Sequence, residues 1–185
     1  MAERRSPLFA VADRLAKVTG AIEMAEVPFL TQLDLRLDPD GPAAPGIMLP
    51  TRPCTSARSG DVDVLWLGPD EWLVVGGPGT AGQLTARLRA ATGVEHASVV
   101  DVSAQRTTLL LSGPRIRDLL ATGCAVDLHP SAFAIGDCVQ TVLAHTPVVL
   151  VRRDAGFWVL VRSSYAAHLA EWLLDASIEH TGLAR

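Results

Sequence analysis

The feature that most constrains this chain is an internal near-repetition. VLWLGPDEWLVV (64–75) and VVLVRRDAGFWVLV (148–161) each read as an apolar strand, a polar turn and a second strand beginning near a tryptophan. Each is followed by an amphipathic helix with leucines at the inner positions, and the spacing between the two blocks is near 86 residues. A duplicated strand–turn–strand–helix pattern predicts an α+β fold. Two halves close on a core, with antiparallel sheets covered by helices on one face.

The rest of the chain fits around this frame. Leu33, Leu35 and Leu37 alternate with Asp34 and Arg36, which predicts a strand over 29–37. The hairpin strands fall at 62–67 and 72–75, joined by Gly68-Pro69-Asp70-Glu71. Gly76-Gly77-Pro78-Gly79 leads to Thr80, and Gln83 completes a capping box for a helix whose inner positions are Leu84, Leu88 and Ala91. Strands at 95–102 and 105–111, a short helix carrying Ile116, Leu119 and Leu120, and strands near 137–144, 147–152 and 157–162 follow. Ser163-Ser164 opens a last helix with Tyr165, Leu169, Trp172, Leu173 and Ala176 on one face. Residues 1–20 form a separate helical arm, with Leu8, Val11, Ala12 and Leu15 as its stripe, and 21–185 form a single duplicated domain. Five of the twelve prolines lie between Pro39 and Pro53, so 38–60 reads as a long loop of the kind that contacts something.

Composition removes several functions. With 185 residues the chain is long enough for a sizeable core. A formal charge of −4 offers no basic footprint for nucleic acid or an anionic membrane. No apolar run approaches the roughly 20 residues of a membrane span, and no signal-peptide pattern opens the chain. Three cysteines without paired spacing predict a reducing, cytoplasmic setting. Only 19% of residues are charged, and of sixteen basic residues only Lys17 is lysine. A GC-rich genome accounts for such a bias, and so does a covered surface, because interface cores favour arginine over lysine.

Candidate chemistry is sparse. GGPG (76–79) precedes a helix but lacks GxGxxG and Gly-Lys-Ser/Thr, so a strand-to-helix turn explains it. Neither the cysteines nor the five histidines show metal-ligand spacing, with Cys124 and His129 the only weak pair. Asp101-Val102-Ser103 interrupts two apolar strands without a nucleophile elbow and reads as a turn. Asp61 and Asp63 share a strand face and read as a wet strand end, and Arg152-Arg153 beside Asp154 as a solvated turn. Trp66 and Trp72, flanking Asp70 and Glu71, stand out, because tryptophan is the residue most enriched at binding hot spots. Trp66, Asp70, Glu71 and Trp72 are therefore the candidate partner interface. No catalytic, cofactor-binding or metal site is expected on this chain.

LWLGPDEWLVV (65–75), DVSAQRTTLLLSGPRIRDLLATGCAVDLHP (101–130) and FAIGDCVQTVLAHTPVVLVRRDAGFWVLVRSSYAAHLAEWLLDA (133–176) together resemble the gamma subunits of heterotetrameric sarcosine oxidase. The resemblance runs over roughly residues 20–180, with the LGPDEW block and the Asp-x-Ser strand as its more specific parts. It implies a folate-binding-domain-like fold of the aminomethyltransferase type, with duplicated β-β-α-β-β-β-α halves. It also implies a structural role in an enzyme that demethylates sarcosine to glycine, reduces oxygen to hydrogen peroxide and passes the one-carbon unit to tetrahydrofolate. In that family FAD, FMN and NAD sit on the alpha and beta subunits and zinc on the delta subunit, so none of these, nor tetrahydrofolate, is expected here. The alpha, beta and delta subunits are the implied partners, alpha most directly. Val142 to Val151 carries no carboxylate where aminomethyltransferase-like enzymes place an acid used on folate. A stand-alone folate-binding or one-carbon protein would have to use Asp101 or Asp127 instead. A third and weaker reading is a gamma-like subunit of a related N-methyl amino acid oxidase or dehydrogenase.

Overall fold

The computed structural model describes residues 4–40, 46–92 and 97–180. The chain forms two compact units: one holds residues 29–105 with 136–139, the other the described residues of 1–28, 106–135 and 140–185. In chain order the elements are α1 (Ala12–Ala16), β1 (Glu23–Val27), β2 (Thr31–Arg36), β3 (Ser56–Ser59), β4 (Val62–Gly68), β5 (Glu71–Gly76), α2 (Ala81–Thr92) and β6 (Ser98–Asp101). They continue with β7 (Arg106–Ser112), α3 (Ile116–Ala121), β8 (Cys138–Leu143), β9 (Thr146–Arg153), β10 (Gly156–Arg162) and α4 (Ser163–Ser177).

The duplication is written in the strand order. One five-stranded sheet runs β3-β4-β5-β2-β6 and the other, read from its corresponding edge, β8-β9-β10-β7-β1. In each, a hairpin (β4–β5 or β9–β10) feeds a helix (α2 or α4). The pairs β1–β7, β7–β10, β9–β10, β2–β5, β2–β6, β3–β4 and β4–β5 are antiparallel, as expected for hairpin-built layers. The sheets differ in how the last position is filled. β6 arrives after α2, whereas α4 is followed by no described strand and β1, from the start of the chain, takes the equivalent edge.

In the 29–105 unit, Leu33, Leu35, Val62, Val64, Trp72, Val74 and Val99 meet Leu84 and Leu88 of α2 in one apolar cluster. Period-2 leucines on β2 and i,i+4 leucines on α2 make that cluster possible. Thr92, not Ala91, is the third inner residue, its hydroxyl donating to the Leu88 carbonyl at 2.9 Å. The Thr80 hydroxyl donates back to the Gly77 carbonyl at 2.8 Å, and its amide donates to Thr31 Oγ1 at 3.2 Å. Gly76 leaves room for this helix: a Cβ there would stand 2.6 Å from Leu84 Cδ1.

In the other unit α4 buries Ala166, Leu169, Ala170, Leu173 and Ser177, while Tyr165 of the expected inner face is exposed. Fully burying Leu169 and Leu173 contributes about 1.5–3 kcal/mol each. The segment expected as an arm packs into this unit through Leu8, Val11 and Leu15, all buried. Two edge strands were not expected: β1, with Glu23 facing solvent, and β3, which occupies the end of the proline-rich stretch. Charged and short edge strands resist unwanted pairing but carry a weak alternation signal. No helix among the described residues is long and apolar enough to cross a membrane.

Candidate partner-docking surface

The β4–β5 hairpin carries the residues singled out from the sequence. Trp66 and Trp72 are register partners across the antiparallel pair, so both indoles lie on one face. A bulge between Trp66 and Gly68 twists the strand just before the turn. The two rings have different fates. Trp72 is fully buried in the apolar cluster, and its indole Nε1 donates to the Pro50 carbonyl at 2.8 Å. It therefore ties the proline-rich segment to the hairpin and is not accessible in the folded chain, contrary to its expected place on an interface. Trp66 is half-buried at the margin of the same cluster.

Asp70 is exposed at the turn, and its backbone carbonyl accepts the Leu37 amide at 3.1 Å. Arg36 joins the two acids, at 2.6 Å to Glu71 and 3.7 Å to Asp70. With Leu37, Asp38, Pro39, Pro69, Ala97 and Ser98, Arg36 and Asp70 line an open groove of about 490 Å³. The hairpin end thus presents a concave surface with proline walls and a net-negative cluster, Arg36 against Asp38, Asp70 and Glu71. Nearby in chain order, Met48 is exposed, its amide donating to Ser59 Oγ at 2.9 Å.

The other sequence candidates do not converge on a catalytic centre. Ser103 donates from its hydroxyl at 2.5 Å and its amide at 2.9 Å to Asp101 Oδ1, and accepts the Gln32 amide at 3.0 Å. This closes the turn between β6 and β7. Asp127 Oδ1 accepts the His129 amide at 2.9 Å, so both carboxylates considered for folate are exposed turn-capping groups. Asp61 and Asp63 part company, and the wet strand end expected for both fits Asp61 alone. Asp61 is exposed in a turn with Arg87 at 3.2 Å, whereas Asp63 is buried with Arg58 at 2.7 Å. Arg87 holds the Asp61 carboxyl below its usual range, chiefly by hydrogen bonding. Cys124 is buried while His129 is exposed beside Ser131, and no group of three potential metal ligands occurs among the described residues.

A cluster that sequence reading treated as solvated is packed. Arg152 stacks 4.9 Å from the centroid of Phe157 and Arg153 4.4 Å from Trp158, with Arg117 of α3 5.9 Å from Phe157. Phe133 lies parallel to Phe157 at 6.3 Å. Burial, then the neighbouring charge of Arg117, lowers the pKa of Arg152, with Asp154 acting the other way. The signal available in the sequence was the Arg-Arg…Phe-Trp spacing across a hairpin; the contribution of α3 was not.

Comparison with known proteins places these features. Residues 42–179 match the Sarcosine oxidase, gamma subunit family. The chain is 38% identical over 188 residues to the sarcosine oxidase subunit gamma of Corynebacterium sp. (strain P-1), covering 95% of this chain and 91% of that protein. It is 39% identical to the corresponding Arthrobacter protein, with the same coverage. Among solved structures it is similar to a chain of the heterotetrameric sarcosine oxidase from Corynebacterium sp. U-96 in complex with pyrrole 2-carboxylate. That match has a TM-score of 0.89 and 36% identity and covers 98% of each chain. An aminomethyltransferase T of the glycine cleavage system from Bartonella henselae matches in fold, at a TM-score of 0.64 and 16% identity. It covers 89% of this chain and 48% of that one.

Proposed function

The chain belongs to the sarcosine oxidase gamma subunit family, and from that premise we propose that it is a non-catalytic structural subunit of a heterotetrameric sarcosine oxidase. The oxidative demethylation of sarcosine to glycine, with peroxide and methylene-tetrahydrofolate as products, would then proceed on the other subunits with their FAD, FMN, NAD, zinc and folate sites. The observation that carries this reading is likeness over nearly the whole chain, in sequence to sarcosine oxidase gamma subunits and in fold to a chain of a heterotetrameric sarcosine oxidase. The chain's own residues support a structural role. The polar groups that looked chemically suggestive are spent on turn closure and ion pairs.

The alpha subunit is the proposed direct neighbour, in the cytoplasm, with the hairpin bearing Trp66, Asp70 and Glu71 contributing to the contact. Trp72 supports that surface from beneath by holding Pro50. Obligate interfaces bury about 2,000 Å² or more and are poor in charge at their centres, which fits a chain that is only 19% charged. Co-expression of the alpha, beta and delta subunits with and without this chain tests the role. Loss of soluble, flavin-loaded complex on omission is expected; a complex unchanged in yield, flavin content and activity would overturn it.

A further inference from the structure

Arg14, Arg36, Arg52, Arg58, Arg87 and Arg115 each reach a carboxylate of this chain. Arg117 and Arg152 form no such ion pair among the described residues, although both are partly withdrawn from water; Arg152 Nη1 donates within its turn to the Arg153 and Gly156 carbonyls, which leaves the rest of its guanidinium without a carboxylate. Asp118, next to Arg117 in sequence, is taken by Arg115, and Asp154 lies exposed in the β9–β10 turn. The two guanidinium groups flank one phenyl ring, Phe157, at 5.9 and 4.9 Å from its centroid. Arg117 Nε is buried with no hydrogen-bond acceptor. A buried charged donor without an acceptor is costly, and two neighbouring cations on one ring add repulsion that cation–π contact only partly offsets.

We propose that the α3/β9–β10 end of this unit, at Arg117 and Arg152, is a docking point for a carboxylate side chain of another subunit. This inference rests on the proposed place of the chain in an oxidase assembly. The chemistry favours one planar carboxylate over a polyanion. The fork of a guanidinium matches a carboxylate bidentately, and phenyl stacking holds the planes in place. A chain of net charge −4 has no wide positive field for nucleic acid or a membrane surface.

The test is the salt dependence of assembly between this chain and its co-expressed partner subunits, read as Kd at several ionic strengths. Arg117→Gln with Arg152→Gln should weaken association by about 10-fold or more and flatten its salt dependence. Arg87→Gln, on α2 and paired with Asp61, should change neither. Arg117→Lys with Arg152→Lys keeps the charge and loses the fork; it should fold normally, hold the salt dependence and weaken affinity several-fold, and it carries the test if the glutamine pair does not fold. Unchanged Kd and salt dependence in a folded variant overturns the docking point while leaving the subunit role intact. Stabilisation of the chain by inorganic phosphate with unchanged assembly likewise overturns it, in favour of a small-anion site. Failure of the wild-type chain to associate at all overturns both.

Discussion

Gly123 and Trp172 are in such close contact that a Cβ on the glycine would stand 2.7 Å from two carbons of the indole ring. Gly123 follows α3, and its carbonyl accepts the Ala144 amide at 3.0 Å, so one residue joins α3, the β8–β9 turn and α4. Gly123→Ala must displace the ring or the turn and should destabilise the protein by about 1–3 kcal/mol, the usual range for overpacking. Urea denaturation should show a lower midpoint at unchanged slope. Trp172→Phe in the same background should recover part of the loss, as expected for residues that share one contact.

Contacts of this kind mark the boundary of what the sequence made legible. The LGPDEW hairpin and its counterpart at 148–161 were readable because period-2 apolar residues and turn chemistry are local. The strand order within each sheet came from the structure, which repeats it in both halves. The fate of Trp72 was not readable, since burial depends on Pro50 arriving from 22 residues upstream to accept its N–H. Arg152 likewise reads as a turn residue until α3 brings Arg117 to the same ring. β1 and β3 escaped because a sheet edge needs no strong alternation.

The β8–β9 turn holds two consecutive non-glycine residues in the left-handed region, Ala144 at φ 49° and His145 at φ 61°. Both signs match the hairpin turns that favour Asn-Gly. His145 is exposed, so its replacement tests backbone strain with little packing change. His145→Gly should stabilise by about 0.5 kcal/mol, the relief of about 1–2 kcal/mol being partly offset by a more flexible unfolded chain. His145→Val should destabilise by about 1 kcal/mol or more, because a β-branched residue fits that region worst. Thermal melts of the two variants should bracket the wild type.

Cys138 is buried, its thiol donates to the Thr55 carbonyl at 3.1 Å, and burial above all pushes its pKa up to about 12. The folded protein therefore keeps this proton where the unfolded chain, with a thiol near 9.0, has lost it. Stability is untouched by this group below about pH 9 and falls as pH rises from there toward 12. The slope is at most about 1.4 kcal/mol per pH unit. Cys138→Ala should be less stable at neutral pH yet lack that slope, which unfolding curves at pH 8, 9 and 10 would resolve. With a disulfide reagent at pH 8, the exposed Cys54 should react and Cys138 should not, until denaturant is added.

Leu15 and Arg14 are neighbours on α1 with opposite expected weights. Leu15 is 1% exposed, while Arg14 meets Glu171 of α4 at 2.5 Å with both side chains about half exposed. Exposed ion pairs are screened and hold long side chains at an entropic cost, so Arg14→Ala should leave the denaturation midpoint almost unchanged. Leu15→Ala removes packed apolar volume and should cost about 2–4 kcal/mol. A segment that behaved as a separable arm would tolerate Leu15→Ala as readily as Arg14→Ala. A shared, large loss for Leu8→Ala and Leu15→Ala, with none for Arg14→Ala, would instead make the segment from Leu8 to Leu15 part of the core of its unit. Deleting it would then expose β1 and unfold that unit.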